Sequence, residues 1–159
     1  MTVFAWLLGL LLPACGTSGT QGLPTPAPFD VARIERGASP NTALAAPTRF
    51  ASPPDIVTPV YPVPPKRLYA AVRAAAAAQP LTFLAAENTV TLQAQWVARS
   101  RLLNFPDLVA AQVLPATGDA SSLVLYSRSV YGYSDLGANR RRLHSWLAAI
   151  EAAVAPVAR

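Results

Sequence analysis

The chain has one cysteine, Cys15, and one histidine, His144, in 159 residues. Metal sites built from histidine and cysteine, and nucleophile pairs of those two residues, need more of each than this once Cys15 has the role argued below. Acids are scarce as well: there are eight, and no two stand at a spacing suited to paired acid and base work. No glycine-rich phosphate loop and no serine elbow occurs. Lys66 is the sole lysine beside twelve arginines. With sixteen prolines and abundant alanine, that bias points to a GC-rich coding sequence as much as to a need for guanidinium chemistry. No apolar run reaches the roughly 20 residues of a membrane-spanning helix. These absences leave no expected catalytic residue, metal or cofactor.

What is present starts with residues 1–14, MTVFAWLLGLLLPA, an uncharged apolar run that ends at Cys15. A run of this length suits the core of a signal peptide. Leu12, Pro13, Ala14 and Cys15 resemble a bacterial lipobox, in which a branched residue three places before the cysteine and a small one just before it allow cleavage once the thiol is acylated. Pro13 and the lack of a basic residue ahead of the run depart from the usual pattern. The expectation is lipidation of Cys15, membrane attachment through that lipid, and a domain in the cell envelope facing the periplasm, on either membrane. A single cysteine at this place fits that use, since no disulfide is then called for.

Eleven of the sixteen prolines lie between Pro24 and Pro65. Residues 15–28 therefore read as a flexible tether and residues 29–54 as an irregular segment pinned by Phe29, Ile34, Leu44 and Phe50. Residues 55–155 read as the folded domain. In it, residues 55–63 form an edge strand, and Pro64 and Pro65 open a helix with a narrow stripe of Leu68, Ala71, Val72 and Ala75 that Pro80 ends. Residues 81–86 and 89–98 form a hairpin whose second strand alternates Val90, Leu92, Ala94, Trp96 and Ala98 with a wet face that includes Gln93 and Gln95. Residues 108–114 make a further strand.

The densest information lies in residues 123–150. Leu123, Leu125, Ser127 and Ser129 alternate with Val124, Tyr126, Arg128 and Val130, as a strand requires. Gly132 and Gly137 bracket a turn whose Ser134 or Asp135 caps a helix, because a side-chain oxygen there accepts from an orphan backbone N–H. Leu136, Leu143, Leu147, Ile150 and Val154 form one stripe of that helix, with Asn139 and Trp146 on its edge. The predicted fold class is α+β, a single antiparallel sheet of four to five strands with both helices on one face.

The run GYSDLGANRRRL followed by Trp146, together with RSRLLNFPD at residues 99–107, resembles the domain of unknown function 1499 family. The resemblance spans about residues 30–150, and these two blocks are its distinctive parts. The family's earlier Pro-Asn block is represented by Pro40 and Asn41, followed here by Thr42, Ala43 and Leu44 in place of small polar residues. Val130 stands where the family often has an arginine. The family has no established activity, so the resemblance implies a fold and a choice of site and leaves the function open.

Arg140, Arg141 and Arg142 occupy the first turns of the last helix, where its dipole disfavours each cation by about 0.3–1 kcal/mol. Asp135 can neutralise one of them and Asp107 a second, provided the 99–107 segment folds alongside. Arg99 or Arg101 then adds to a surplus of positive charge beside free helix N–H groups, an arrangement suited to a carboxylate or phosphate. The candidate anion or partner site is thus Arg99, Arg101, Arg140 and Arg141, with Gly132, Ser134, Asp135, Gly137 and Asn139 as the structural turn and cap. The simpler reading is a solvated arginine face. Either acid could pair with His144 as an acid–base couple, although a cap at Asp135, a loop end at Asp107 and a surface His144 account for the same residues.

The formal charge is +5. A secreted chain does not meet nucleic acid, and no aromatic and basic residues interleave as a stacking platform requires. Anionic lipid headgroups, envelope polymers or an envelope protein are the expected partners. The leading function is a lipid-anchored, non-catalytic binding or scaffold domain. The alternative is a binder of, or enzyme acting on, a small apolar or lipid-like ligand between sheet and helices. A groove lined by Val97, Tyr126 and Tyr131 favours the first, and a closed cavity under the helices the second.

Overall fold

Residues 121–129 decide the architecture, because both of their faces are apolar. In the computed structural model, which describes residues 19–34 and 36–155, they form a central strand that sends Leu123 and Leu125 into one core and Val124 and Tyr126 into another. Residues 1–14 and Cys15, the expected signal peptide and lipidation site, lie outside the described residues. Among the described residues a 3-10 turn, Val31–Arg33, comes first. It is followed by β1 (Thr42–Ala46), β2 (Ile56–Val57), α1 (Pro65–Ala77), β3 (Thr82–Asn88), β4 (Gln93–Arg99), β5 (Pro106–Pro115), β6 (Ser121–Ser129) and α2 (Ala138–Val154). The sheet order is β2-β1-β6-β5-β4-β3.

This corrects the predicted single antiparallel sheet of four to five strands: the sheet has six strands and is mixed, since β1 and β2 run parallel. The cause is local. Prolines made residues 29–54 read as irregular, yet Pro40 and Pro47 stand outside the TALAA segment that forms β1, so no ladder N–H is lost. β1 pairs antiparallel with β6, from Thr42 opposite Arg128 to Ala45 opposite Leu125. The chain then loops back through Pro53 and Pro54 in place of a hairpin, which leaves the two-residue β2 parallel to β1. Asp55 secures the return: its N–H donates to Leu44 O at 2.8 Å and its Oδ2 accepts from Leu44 N at 2.8 Å. With Pro59 and Pro62 just beyond it, β2 can be only an edge strand.

Both helices cover the face that carries Ala43, Ala94, Trp96, Val109, Leu123 and Leu125. Leu68 and Val72 from α1, and Leu143, Trp146 and Ile150 from α2, are fully buried there. Trp96 and Trp146 meet edge to face, with centroids 5.2 Å apart and an 82° interplanar angle, and so fill the space between sheet and helices. The opposite face is covered by residues ahead of β1 and by the loop just after it. Phe29 stacks on Tyr126 at 6.4 Å, and Val31, Ile34 and Phe50 pack around Leu44 and Val124. Gln93 and Gln95, on the predicted wet face, donate to Phe29 O at 2.8 Å and Ala27 O at 2.7 Å. Val97 and Tyr126, offered above as the lining of a binding groove, are therefore 1% and 8% exposed.

Candidate functional site

The strand β6 ends with Ser127 and Ser129 on the helix-covered face, and polar groups so placed must find partners. They find Asn139, in the first turn of α2 and fully buried. Its Oδ1 accepts from Ser127 Oγ at 2.5 Å and Arg142 Nη1 at 2.7 Å, while its Nδ2 donates to Asn41 O at 2.8 Å and Ser129 Oγ at 3.0 Å. The amide thereby uses both lone pairs and both N–H groups. Arg142 Nη1 also donates to Ser127 Oγ at 3.0 Å, and its Nη2 to Asp107 Oδ2 at 2.5 Å. Asn41 completes the ring by donating from its side chain to Gly132 O at 2.7 Å. One polar knot thus joins the start of β1, the start of β5, the end of β6 and the first turns of α2.

Asp135 works just outside the knot. Gly137 is the backbone cap of α2, in the left-handed region at φ 77°, and makes no side-chain cap bond. The acceptor comes from two residues earlier: Asp135 Oδ2 takes Asn139 N–H at 2.7 Å and Oδ1 takes Gly137 N–H at 3.0 Å. Burial by itself raises the Asp135 carboxyl, but the N–H groups of Asn139 and Gly137 outweigh it and hold the pKa below the ordinary 3.8. Ser134 Oγ accepts from Leu136 N at 3.3 Å. Gly137 could not carry a side chain without strain, for its φ is positive and an added Cβ would lie 3.2 Å from Arg141 Nη1.

The arginines separate. Arg99, at the end of β4, is 5% exposed, and its Nε and Nη2 donate to Gly19 O at 2.8 Å and Gln21 O at 3.1 Å, so it holds the N-terminal segment. Arg140 leans toward β2, with Asp55 O at 3.4 Å. Arg141 folds over the turn onto Leu136 O at 2.8 Å. Arg101 is exposed in the β4–β5 loop. Of the four candidates only Arg101 and Arg141 come together. Both line a cleft of about 540 Å³ between residues 100–105 and residues 129–138, whose apolar lining includes Leu102, Leu103, Phe105 and Leu136. Among the described residues neither Arg101 nor Arg141 is paired with a carboxylate.

Two residues of the site were not singled out as its members by the sequence. Arg142 is the arginine that turns inward, and Asn41 reaches across from the far end of the chain; the Pro-Asn block was the one signal for Asn41. The acid–base couple with His144 does not form: Asp107 is bound by Arg142 and Asp135 by backbone, while His144 is exposed.

The sequence profile of a family described as "Protein of unknown function (DUF1499)" matches residues 35–150, a range that includes both loops of the cleft and Asn41. Among curated proteins there is no sequence match. Among solved structures, the crystal structure of TTHA0849 from Thermus thermophilus is similar at 15% identity, covering 71% of this chain and 96% of that one, with a TM-score of 0.35.

Two outcomes follow from the knot. Asn139→Leu strands Asn41 O and the Arg142 guanidinium, and a buried group left unpaired costs about 1–3 kcal/mol. Chemical denaturation should show at least that loss, and an unchanged midpoint would mean the amide bonds carry no weight. Asp135→Asn keeps one acceptor oxygen but sets an NH2 against the second backbone N–H, so at neutral pH it should be less stable than the wild type. Because the folded pKa is depressed, the Asp135 contribution is complete above its ordinary pKa and disappears as pH falls through the folded value. The wild type should therefore lose more stability than Asp135→Asn on acidification below about pH 4. Parallel acid melting curves for the two proteins would contradict this.

Proposed function

The chain belongs to the DUF1499 family, and we propose that it is a lipid-anchored, non-catalytic binding domain of the bacterial cell envelope. It hangs by an acyl chain on Cys15, faces the periplasm, and uses the cleft between residues 100–105 and 129–138 to hold an anionic surface. The observation that carries the reading is the meeting of the two distinctive sequence blocks in that cleft, with its acids engaged and its rim arginines free of carboxylate partners among the described residues. Asp107 and Asp135 are occupied by Arg142 and by backbone N–H groups, so neither is offered as a base. Arg101 and Arg141 have no carboxylate partner among the described residues and can meet phosphate or carboxylate oxygens. The formal charge of +5 favours the same partners. Trp96 and Trp146 occupy the space in which a ligand between sheet and helices would have to lie, which argues against the alternative of a small apolar ligand there.

Metabolic labelling with a palmitate analogue should mark the wild type and leave Cys15→Ser unmarked, with the variant either uncleaved or soluble. An unlabelled wild type together with a variant that fractionates as the wild type does contradicts the anchor. In the Cys15→Ser background, binding to anionic vesicles should exceed binding to neutral ones, weaken with salt, and fall with Arg101→Ala/Arg141→Ala. Equal binding of both proteins to both surfaces contradicts the site.

A further inference from the structure

Four large apolar side chains on the two loops of the cleft face solvent: Leu102 is 95% exposed, Leu136 86%, Tyr133 73% and Leu103 62%. Single exposed leucines are ordinary, but a group of this kind at one end of a fold marks a surface that something covers. Leu136 adds a second sign. Its φ is 52°, in the left-handed region that a leucine occupies only under strain, so at this position leucine helps neither the core nor the turn.

The chain's own path says what lies nearest. Arg99 ends β4 where residues 100–105 begin, and its bonds to Gly19 O and Gln21 O bring the N-terminal segment onto the domain at this same end. From Cys15 to Gly19 the chain can extend about 14 Å at most. An acyl chain on Cys15 would therefore hold this end of the domain against the bilayer, with the β5–β6 turn around Asp119 at the opposite end of the sheet. The charges agree with that orientation. Arg101 and Arg141 stand on the rim beside the apolar group, while the acids there, Asp107 and Asp135, are already bound by Arg142 and by backbone.

We propose that Leu102, Leu103, Tyr133 and Leu136 sit in the interface of the bilayer that carries the Cys15 lipid, with Arg101 and Arg141 on its anionic headgroups, so that anchor and tip together fix the domain's orientation. The inference rests on the anchor proposed above. Leucine and tyrosine side chains enter the headgroup and acyl boundary, and guanidinium groups bind the phosphates over it. A short tether and an inserted tip act as two attachments of one body, each raising the effective concentration of the other at the surface.

The test uses the full-length acylated protein in vesicles of phosphatidylethanolamine and phosphatidylglycerol. Cys15, the one native cysteine, is blocked by its lipid, so Leu102→Cys, Leu136→Cys and Asp119→Cys can each carry an environment-sensitive fluorophore. The labels at 102 and 136 should shift to the blue and be quenched by a spin label borne on the lipid, and the label at 119 should do neither. Labels at 102 and 136 that behave like the one at 119, on protein whose Cys15 is acylated by mass spectrometry, overturn the inserted tip and leave the anchor standing. Labels shielded from water but untouched by the lipid-borne quencher overturn it too, since another protein or a second copy of the chain then covers the tip. A Cys15 found without lipid overturns the anchor and the inference together.

Discussion

The carboxamide of Asn139 is the group on which the rest of this structure depends. It is fully buried, and its four hydrogen-bonding positions are taken by Ser127 and Ser129 of β6, by Asn41 ahead of β1 and by Arg142 three residues on in its own helix. A buried polar network of this kind is stabilising only when complete, because each vacancy leaves a desolvated dipole or charge. Completeness here demands that β1, β6 and α2 stand in one register. A shift of β6 by one residue would turn Ser127 and Ser129 to the other face and replace them with Tyr126 and Arg128.

Through Arg142 the same knot takes in Asp107, and with it the loop that precedes β5. The position of Arg142 near the helix N-terminus is unfavourable to the dipole, and the carboxylate of Asp107 at 2.5 Å offsets that. Asp135 occupies the first-turn N–H groups from below. What remains outside this satisfied interior is the rim: Arg101, Arg141, and the exposed leucines and tyrosine of the two loops. The functional reading therefore follows from a division of labour among similar residues. The arginine that turns inward stabilises the fold, and those that stay outside give the cleft its charge.

Much of this was legible in local pattern. Alternation in residues 122–131 assigned Leu123 and Val124 to opposite faces, and Pro65 with a helical stripe announced α1. The first strand was hidden because five residues between prolines, three of them alanine, carry no period of their own; Thr42–Ala46 becomes a strand through pairing with β6, a contact at least eighty residues away. The parallel edge pair followed from that omission. In the site, the convergence of the two sequence blocks could be read, but the identity of the inward arginine could not. That depends on how α2 is rotated, which Gly137 and Asp135 set jointly where the sequence suggested a cap at Ser134 or Asp135 alone. Asn41 lies 98 residues from Asn139 and no spacing rule connects them.

The central claim is that the Arg142–Asp107 pair, with Asp107 buried and Arg142 partly so, is a coupled part of the knot, and a double-mutant cycle with Arg142→Met and Asp107→Leu tests it most directly. Removing one partner of a fully buried pair leaves an uncompensated charge and costs about 3–5 kcal/mol, an upper bound for this part-buried one, whereas replacing both with apolar groups is far milder. Denaturation should therefore show each single variant less stable than the double. Costs that simply add, with the double variant the least stable of the three, would contradict the account.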